Sequence, residues 1–157
     1  ELCDHLMLFF TGFTRFSADI QKKTEQSIDK KTQQLREMKQ MVNQAEDILT
    51  SKTSLDEFGR LLHYSWTLKR GLSSGISTGA IDDIYAKARA AGALGGKLLG
   101  AGGGGFLLFY VKPEKQAQVM QELQDLLYVP FEFEDAGTQV VYYKAEDYLL
   151  DDEEDMK

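Results

Sequence analysis

The sequence predicts an α+β domain in which an antiparallel sheet of about four strands carries helices packed on one face. Three observations carry this expectation. The chain opens with a short apolar run, Leu6 to Thr11, that stops at Gly12. A second run, Phe106 to Val111, is six apolar residues rich in β-formers and follows a stretch of glycines. Between the two runs the apolar positions recur at helical spacing, and no repeat of fixed period is visible.

Taken in order, Leu6 to Thr11 reads as a buried strand. Ser17 to Lys31 is polar and reads as a helix with a thin stripe of Phe16, Ile20 and Ile28. Leu35, Met38, Val42, Ala45 and Leu49 predict a firmer second helix. Ser54, with Glu57 three residues on, predicts a capping box that opens a third helix. Along it Leu55, Phe58, Leu62 and Trp66 share a face, and the stripe closes on two cations, Lys69 and Arg70. After the loop Gly71 to Thr78, the residues Ile81, Ile84, Tyr85 and Ala88 mark a fourth helix ended by Gly92. Phe106 to Val111 is the central strand. Pro113 suits the first turn of a fifth helix, with Ala117, Met120, Leu123 and Leu127 as its inner face. Phe131 to Glu134 and Thr138 to Tyr143 are expected as strands joined across Asp135-Ala136-Gly137, a hairpin signal. Residues 1–146 are expected to form one domain and 147–157 an acidic tail.

Charge and composition exclude several classes. A net charge of −7 gives no basic face for nucleic acid, and much of the excess sits in Asp151-Asp152-Glu153-Glu154-Asp155, which reads as a solvated tail. No apolar run approaches the roughly 20 residues that span a bilayer, so no membrane partner is expected. The single cysteine, Cys3, excludes an intramolecular disulfide and fits a reducing compartment. His5 and His63 lie far apart in sequence, and no metal site is expected from them. The start, Glu1-Leu2-Cys3-Asp4, has neither a basic n-region nor an initiator Met and reads as a chain cut from something longer.

The most informative segment is Gly100-Ala-Gly-Gly-Gly-Gly105. Consecutive glycines cost backbone entropy, so a fold tolerates them where the chain takes positive φ or approaches something closely. Two readings stand: a tight turn between core strands, or a loop whose N–H groups face a phosphate. Under the second, replacing Gly102 or Gly103 with Val is expected to lower turnover more than stability. As a string, Gly100-x-Gly102-x-x-Gly105 matches the dinucleotide fingerprint, but that motif opens a helix and here a strand follows. A P-loop needs Ser or Thr after its lysine, and Lys97 is followed by Leu98. Both readings fail on context.

The segment Gly92-Ala-Leu-Gly-Gly-Lys-Leu-Leu-Gly-Ala-Gly-Gly-Gly-Gly105 resembles the third, C-terminal motif of the galactose/homoserine/mevalonate/phosphomevalonate (GHMP) kinase superfamily. Within it the likeness is strongest to the bacterial heptose phosphate kinases, through Phe10-Thr-Gly-Phe-Thr-Arg15, Trp66-Thr-Leu-Lys-Arg-Gly-Leu-Ser73, Val129-Pro-Phe-Glu-Phe133 and Gly137-Thr-Gln-Val-Val141. The resemblance implies a ferredoxin-like elaboration as fold and a cytoplasmic two-lobed enzyme that uses ATP and Mg²⁺. Both would be bound mainly by an N-terminal lobe carrying the loop Pro-x-x-x-Gly-Leu-Gly-Ser-Ser-Ala and the catalytic residue, and that lobe is this chain's own expected partner. The loop is absent from the sequence. Gly71-Leu-Ser-Ser-Gly75 echoes it but lacks the proline and lies between C-terminal segments. The implied reaction converts D-glycero-D-manno-heptose 7-phosphate to the 1,7-bisphosphate. Fucose, galactose or mevalonate kinases, and a non-catalytic binding protein on the same fold, are the alternatives.

By resemblance, Gly100, Ala101, Gly102, Gly103 and Gly104 lie near the nucleotide phosphates. A phosphorylated sugar needs cations, and Arg15, Lys69 and Arg70 are the candidates, since a guanidinium can grip phosphate bidentately. The alternatives are a surface arginine for Arg15 and a helix-dipole role for Lys69 and Arg70. Trp66 is a candidate sugar platform or a core anchor. Lys97 could meet phosphate or sit on a strand edge, Ser17 could cap a helix or touch the substrate, and the Ser73–Thr78 loop could hold an anion or simply connect.

Overall fold

The computed structural model describes residues 1–13, 17–25 and 28–142. The acidic tail and Tyr143 fall outside these residues. After a short 3₁₀ turn at Cys3–His5 come β1 (Leu6–Phe10), α1 (Ser17–Glu25), α2 (Ile28–Thr50), α3 (Asp56–Arg70) and α4 (Gly79–Ala90). They are followed by β2 (Gly95–Leu98), β3 (Phe106–Tyr110), α5 (Pro113–Glu122) and β4 (Leu127–Tyr128). The strands form one four-stranded sheet in the order β2-β3-β1-β4, and every neighbouring pair is antiparallel.

Register sorts the strand residues onto two faces. Met7 pairs with Phe109 and Phe9 with Leu107, and Leu98 pairs with Leu107 from the other side. These side chains share a buried cluster with Ile20 of α1, Ile81, Tyr85 and Ala88 of α4, Val119 of α5 and Leu123 just after it. The opposite face carries Leu8, Phe10, Phe106 and Leu108, all partly or largely accessible. On that face Leu6 and Tyr110 are buried, so it is covered at one end, while the alternation of β1 and β3 leaves the rest of it open.

Helix α3 reaches the sheet at its free edge, across β2. The contact works only between glycines: a Cβ on Gly95 would overlap the carbonyl oxygen of Gly59, and one on Gly59 would lie 2.7 Å from the Tyr110 ring. At the end of α4, the N–H of Ala93 reaches back to Ala88 O at 3.0 Å and that of Gly92 to Arg89 O. This is the glycine stop expected there.

Several expectations need correction. Of the stripe expected for the first helix, Ile20 of α1 is buried, while Ile28, at the start of α2, is 44% exposed; Phe16 lies outside the described residues. On α2 the expected stripe holds at Leu35 and Met38, which pack against the core, and fails further along. Met41 is buried while Val42 is 64% exposed, because α2 rests on α3 along one seam and leaves its far side to water. The capping box does not form: Ser54 Oγ accepts from Asp56 N at 3.3 Å, and the Glu57 carboxylate is drawn instead to Arg60. On α5 Met120 packs inward and Leu123, just past its end, is buried as expected, but Val119 is the buried residue of the helix and Ala117 is exposed. Leu127, 64% exposed, belongs to β4.

The C-terminal hairpin is also absent among the described residues. Ladder pairing along β1 ends with the Val129 N–H on Leu8 O at 2.8 Å. Pro130, whose ring fixes φ and which has no N–H, follows directly. Phe131 to Glu134 and Thr138 to Tyr142 are irregular. Their turn is closed locally by Glu134 Oε1, which accepts from Ala136 N at 2.8 Å.

Candidate functional site

The glycine segment joins β2 to β3, which fits the first of its two sequence readings, a turn between core strands, and three parts of the chain hold it. From one side, Lys69 Nζ donates to Leu98 O at 3.0 Å and to Gly100 O at 2.6 Å. From a second, the Gly103 N–H donates to Ile76 O at 2.9 Å. From the third, the Gly105 N–H donates to Phe13 O at 2.9 Å, and Gly105 O accepts from both the N–H and the hydroxyl of Thr11, at 2.9 and 2.8 Å.

This packing accounts for part of the glycine content. Gly102 has φ +117°, and a Cβ there would lie 2.7 Å from Ile76 Cα and 2.8 Å from its carbonyl oxygen. A Cβ on Gly104 would overlap the carbonyl oxygen of Phe13. Gly100, with φ +70°, faces open space and is exposed. Among the described residues, no acceptor is bonded to the N–H of Gly100, Ala101 or Gly104. The turn thus has a packed inner side and an open side that begins at Gly100.

The last turn of α3 divides the two candidate cations between different partners. Lys69 is half-buried on the turn carbonyls. Burial, helped by nearby Lys97, pulls its ammonium from 10.5 to about 8, so it remains largely charged at neutral pH. Arg70 forms an ion pair with Asp82 Oδ1 at 3.1 Å, and the same oxygen accepts from Ser77 Oγ at 2.8 Å. Thr78 caps α4, its hydroxyl accepting from Ile81 N at 3.4 Å, so Arg70 ties the end of α3 to the start of α4.

Trp66 is 0% exposed, inside the core beside Tyr85, and offers no surface on which a sugar could stack. That corrects its place among the substrate candidates: α3 turns the indole onto the covered face. Arg15 lies outside the described residues. Lys97 sits on β2, at the sheet's edge, and Ser17 opens α1.

The sequence did not single out Tyr85 and His63 as partners. Tyr85 OH donates to Gly96 O at 3.2 Å and faces His63 Nδ1 at 2.8 Å. One hydroxyl proton cannot serve both contacts, so Nδ1–H of His63 is the donor to Tyr85. Burial, then the charges of Arg89 and Arg70, holds His63 below its ordinary value. Gly96 O and Leu98 O both point off the free edge of β2, and Tyr85 and Lys69 satisfy them. Such pairing removes an open edge. Nothing in local sequence pattern marks Tyr85 for this task, because its position also fits the buried stripe of α4.

Among the described residues no group of three or more His, Cys, Asp or Glu side chains could hold a metal ion. No helix among them is long and apolar enough to cross a membrane.

Residues 32–129, more than half of the chain, match the family model described as GHMP kinases C terminal. The chain belongs to the GHMP kinase family. This GHMP kinase chain is 31% identical over 126 residues to a D-glycero-alpha-D-manno-heptose 7-phosphate kinase of Campylobacter jejuni, covering 79% of this chain and 37% of that protein. It therefore spans little more than a third of that relative's length. Among solved structures, a mevalonate kinase superposes with a TM-score of 0.67 at 26% identity, over 82% of this chain and 40% of the other. A D-glycero-D-manno-heptose 1-phosphate kinase from Bacteroides thetaiotaomicron superposes at 0.54 and 26% identity, over 85% of this chain and 34% of the other.

Proposed function

We propose that this chain is the C-terminal lobe of a cytoplasmic, ATP-dependent kinase that phosphorylates a heptose phosphate. The γ-phosphoryl group of ATP would pass to the anomeric hydroxyl of D-glycero-D-manno-heptose 7-phosphate, giving the 1,7-bisphosphate, ADP and a proton, a step that supplies nucleotide-heptose for surface glycans. The observation that carries this reading is the similarity to the Campylobacter heptose 7-phosphate kinase, which extends over 79% of the chain. The open side of the glycine turn supports it. In phosphoryl transfer the protein contributes chiefly positioning and charge stabilisation, and a turn with uncommitted N–H groups at Gly100, Ala101 and Gly104 suits the edge of a phosphate site. ATP, Mg²⁺ and the catalytic residue are assigned mainly to an N-terminal lobe.

A second reading is mevalonate phosphorylation, favoured by the higher TM-score to a mevalonate kinase. The test is steady-state kinetics of the complete enzyme on heptose 7-phosphate, heptose 1-phosphate, galactose, fucose and mevalonate. Heptose 7-phosphate is expected to give the highest kcat/KM. A preference for mevalonate would replace the first reading with the second, and no turnover with any of them would favour a binding protein on a kinase fold.

A further inference from the structure

We propose that Lys69 is a positioning residue for the nucleotide-facing turn, fastening the exit of β2 to the last turn of α3, and is not a ligand for the sugar phosphate. The proposal rests on the reading of the turn as phosphate-facing given above. Lys69 Nζ is within hydrogen-bond distance of two carbonyl oxygens, Leu98 O at 3.0 Å and Gly100 O at 2.6 Å. These atoms bracket the point where the chain leaves the sheet. Leu98 is the last residue of β2, and Gly100 is the first of the segment with positive φ.

The turn has few other restraints on this side. Its far half is tied by Gly103 to Ile76 and by Gly105 to Phe13 and Thr11. Its near half, Gly100 and Ala101, has no backbone bond to another element among the described residues, and a glycine at that point has no side chain to anchor it. Without the ammonium, Gly100 would sample the wide φ/ψ range open to glycine. Both oxygens are acceptors, and an ammonium carries three donors and no acceptor. Lys69 is therefore matched to this pair as it would not be to another donor. Its neighbour Arg70 points to Asp82 instead, so the two adjacent cations fasten two different junctions. The ammonium also leaves a fixed positive charge beneath a turn that would border a polyphosphate.

The test uses the complete enzyme and three variants, Lys69→Met, Lys69→Arg and Lys69→Gln. Hydrogen exchange is read on peptides covering residues 98–106, alongside KM for ATP and for heptose 7-phosphate. Loss of the charge-assisted bonds in Lys69→Met should speed exchange at the turn about tenfold, leave β1 and β3 as protected as before, and raise KM for ATP but not for the sugar. Lys69→Arg, which keeps donors and charge, should recover part of both effects. Lys69→Gln, with a single amide donor group, serves if Met at this half-buried site prevents folding. Unchanged exchange at the turn overturns the proposal, as does a rise in the sugar KM alone. Equal loosening of the turn and of β3 also overturns it, since Lys69 would then be only a general support. Faster exchange confined to the turn, with KM for ATP unchanged, upholds the fastening and removes the nucleotide reading of the turn.

Discussion

Replacing Gly102 with alanine separates what the glycine turn does for the fold from what it does for a ligand. At φ +117° an L-residue is strained by about 1–2 kcal/mol. The new methyl would also lie 2.7 Å from Ile76 Cα and 2.8 Å from Ile76 O. Those are backbone atoms, and the same carbonyl accepts the Gly103 N–H, so it can move only by giving up that bond. An overpacking cost of about 1–3 kcal/mol is added. A total near 3 kcal/mol would lower the melting temperature of the lobe by about 6–12 °C, with Val worse than Ala. This reverses the expectation from sequence, in which turnover suffers more than stability. Gly100→Ala supplies the contrast: its Cβ meets nothing within 4 Å, leaving only the φ strain of about 1–2 kcal/mol. Its methyl would project on the open side of the turn, so KM for ATP should rise severalfold in enzyme that is still folded. Thermal unfolding and ATP kinetics on both variants decide the matter. Gly102→Ala with an unchanged melting temperature would refute the packing argument, and Gly100→Ala with wild-type ATP kinetics would remove the ligand role of the open side.

Other outcomes follow from the same contacts. Trp66→Ala should cost about 3–5 kcal/mol in a denaturant titration while leaving the KM for sugar of the remaining folded enzyme unchanged; a selective rise in that KM would restore the platform reading. Arg70→Ala breaks a partly exposed ion pair, so its stability cost should stay under about 1 kcal/mol, and its effect on the sugar-phosphate KM measures any substrate role directly. His63 is held below its unfolded value by burial. The unfolded chain therefore binds the proton first, and stability should fall as pH drops below about 6.5. His63→Gln should flatten that part of a melting-temperature profile against pH. Residues 1–157 alone should show no ATP-dependent turnover, because the string Pro-x-x-x-Gly-Leu-Gly-Ser-Ser-Ala is absent; turnover by the purified chain would show that this lobe is self-sufficient.

The central architecture was legible because strands and turn announce themselves locally. Leu6–Phe10 and Phe106–Tyr110 are short apolar runs bounded by turn residues, and alternation within them fixes which side chains meet the helices. Gly92 and Pro113 mark element ends by backbone chemistry that tertiary context seldom overrides. The inward residue in the middle of α2 was not legible. Met41 and Val42 are both apolar and adjacent, and only the seam with α3 decides between them. The hairpin expected after Asp135 has the right residue types, but strand formation requires a partner edge, and β4 stops pairing with β1 just before Pro130.

At the candidate site the sequence identified the right segment, while its physics divides by position. Glycine at 102 and 104 is demanded by Ile76 and Phe13, whether or not a nucleotide ever binds. A run of glycines is thus weak evidence for a phosphate site when counted residue by residue. The discriminating information lies at Gly100, where no neighbour forbids a side chain, and at Lys69, whose ammonium holds the carbonyl of that same residue. Spacing could place Lys69 at the end of a helix but could not show what it faces, because Leu98 and Gly100 are about 30 residues further along the chain. A helix-dipole role and a turn-fastening role predict the same residue in the same place. The distances of 3.0 and 2.6 Å to two particular oxygens are what separate them, since a cation serving only the dipole of α3 would sit on carbonyls of its own helix.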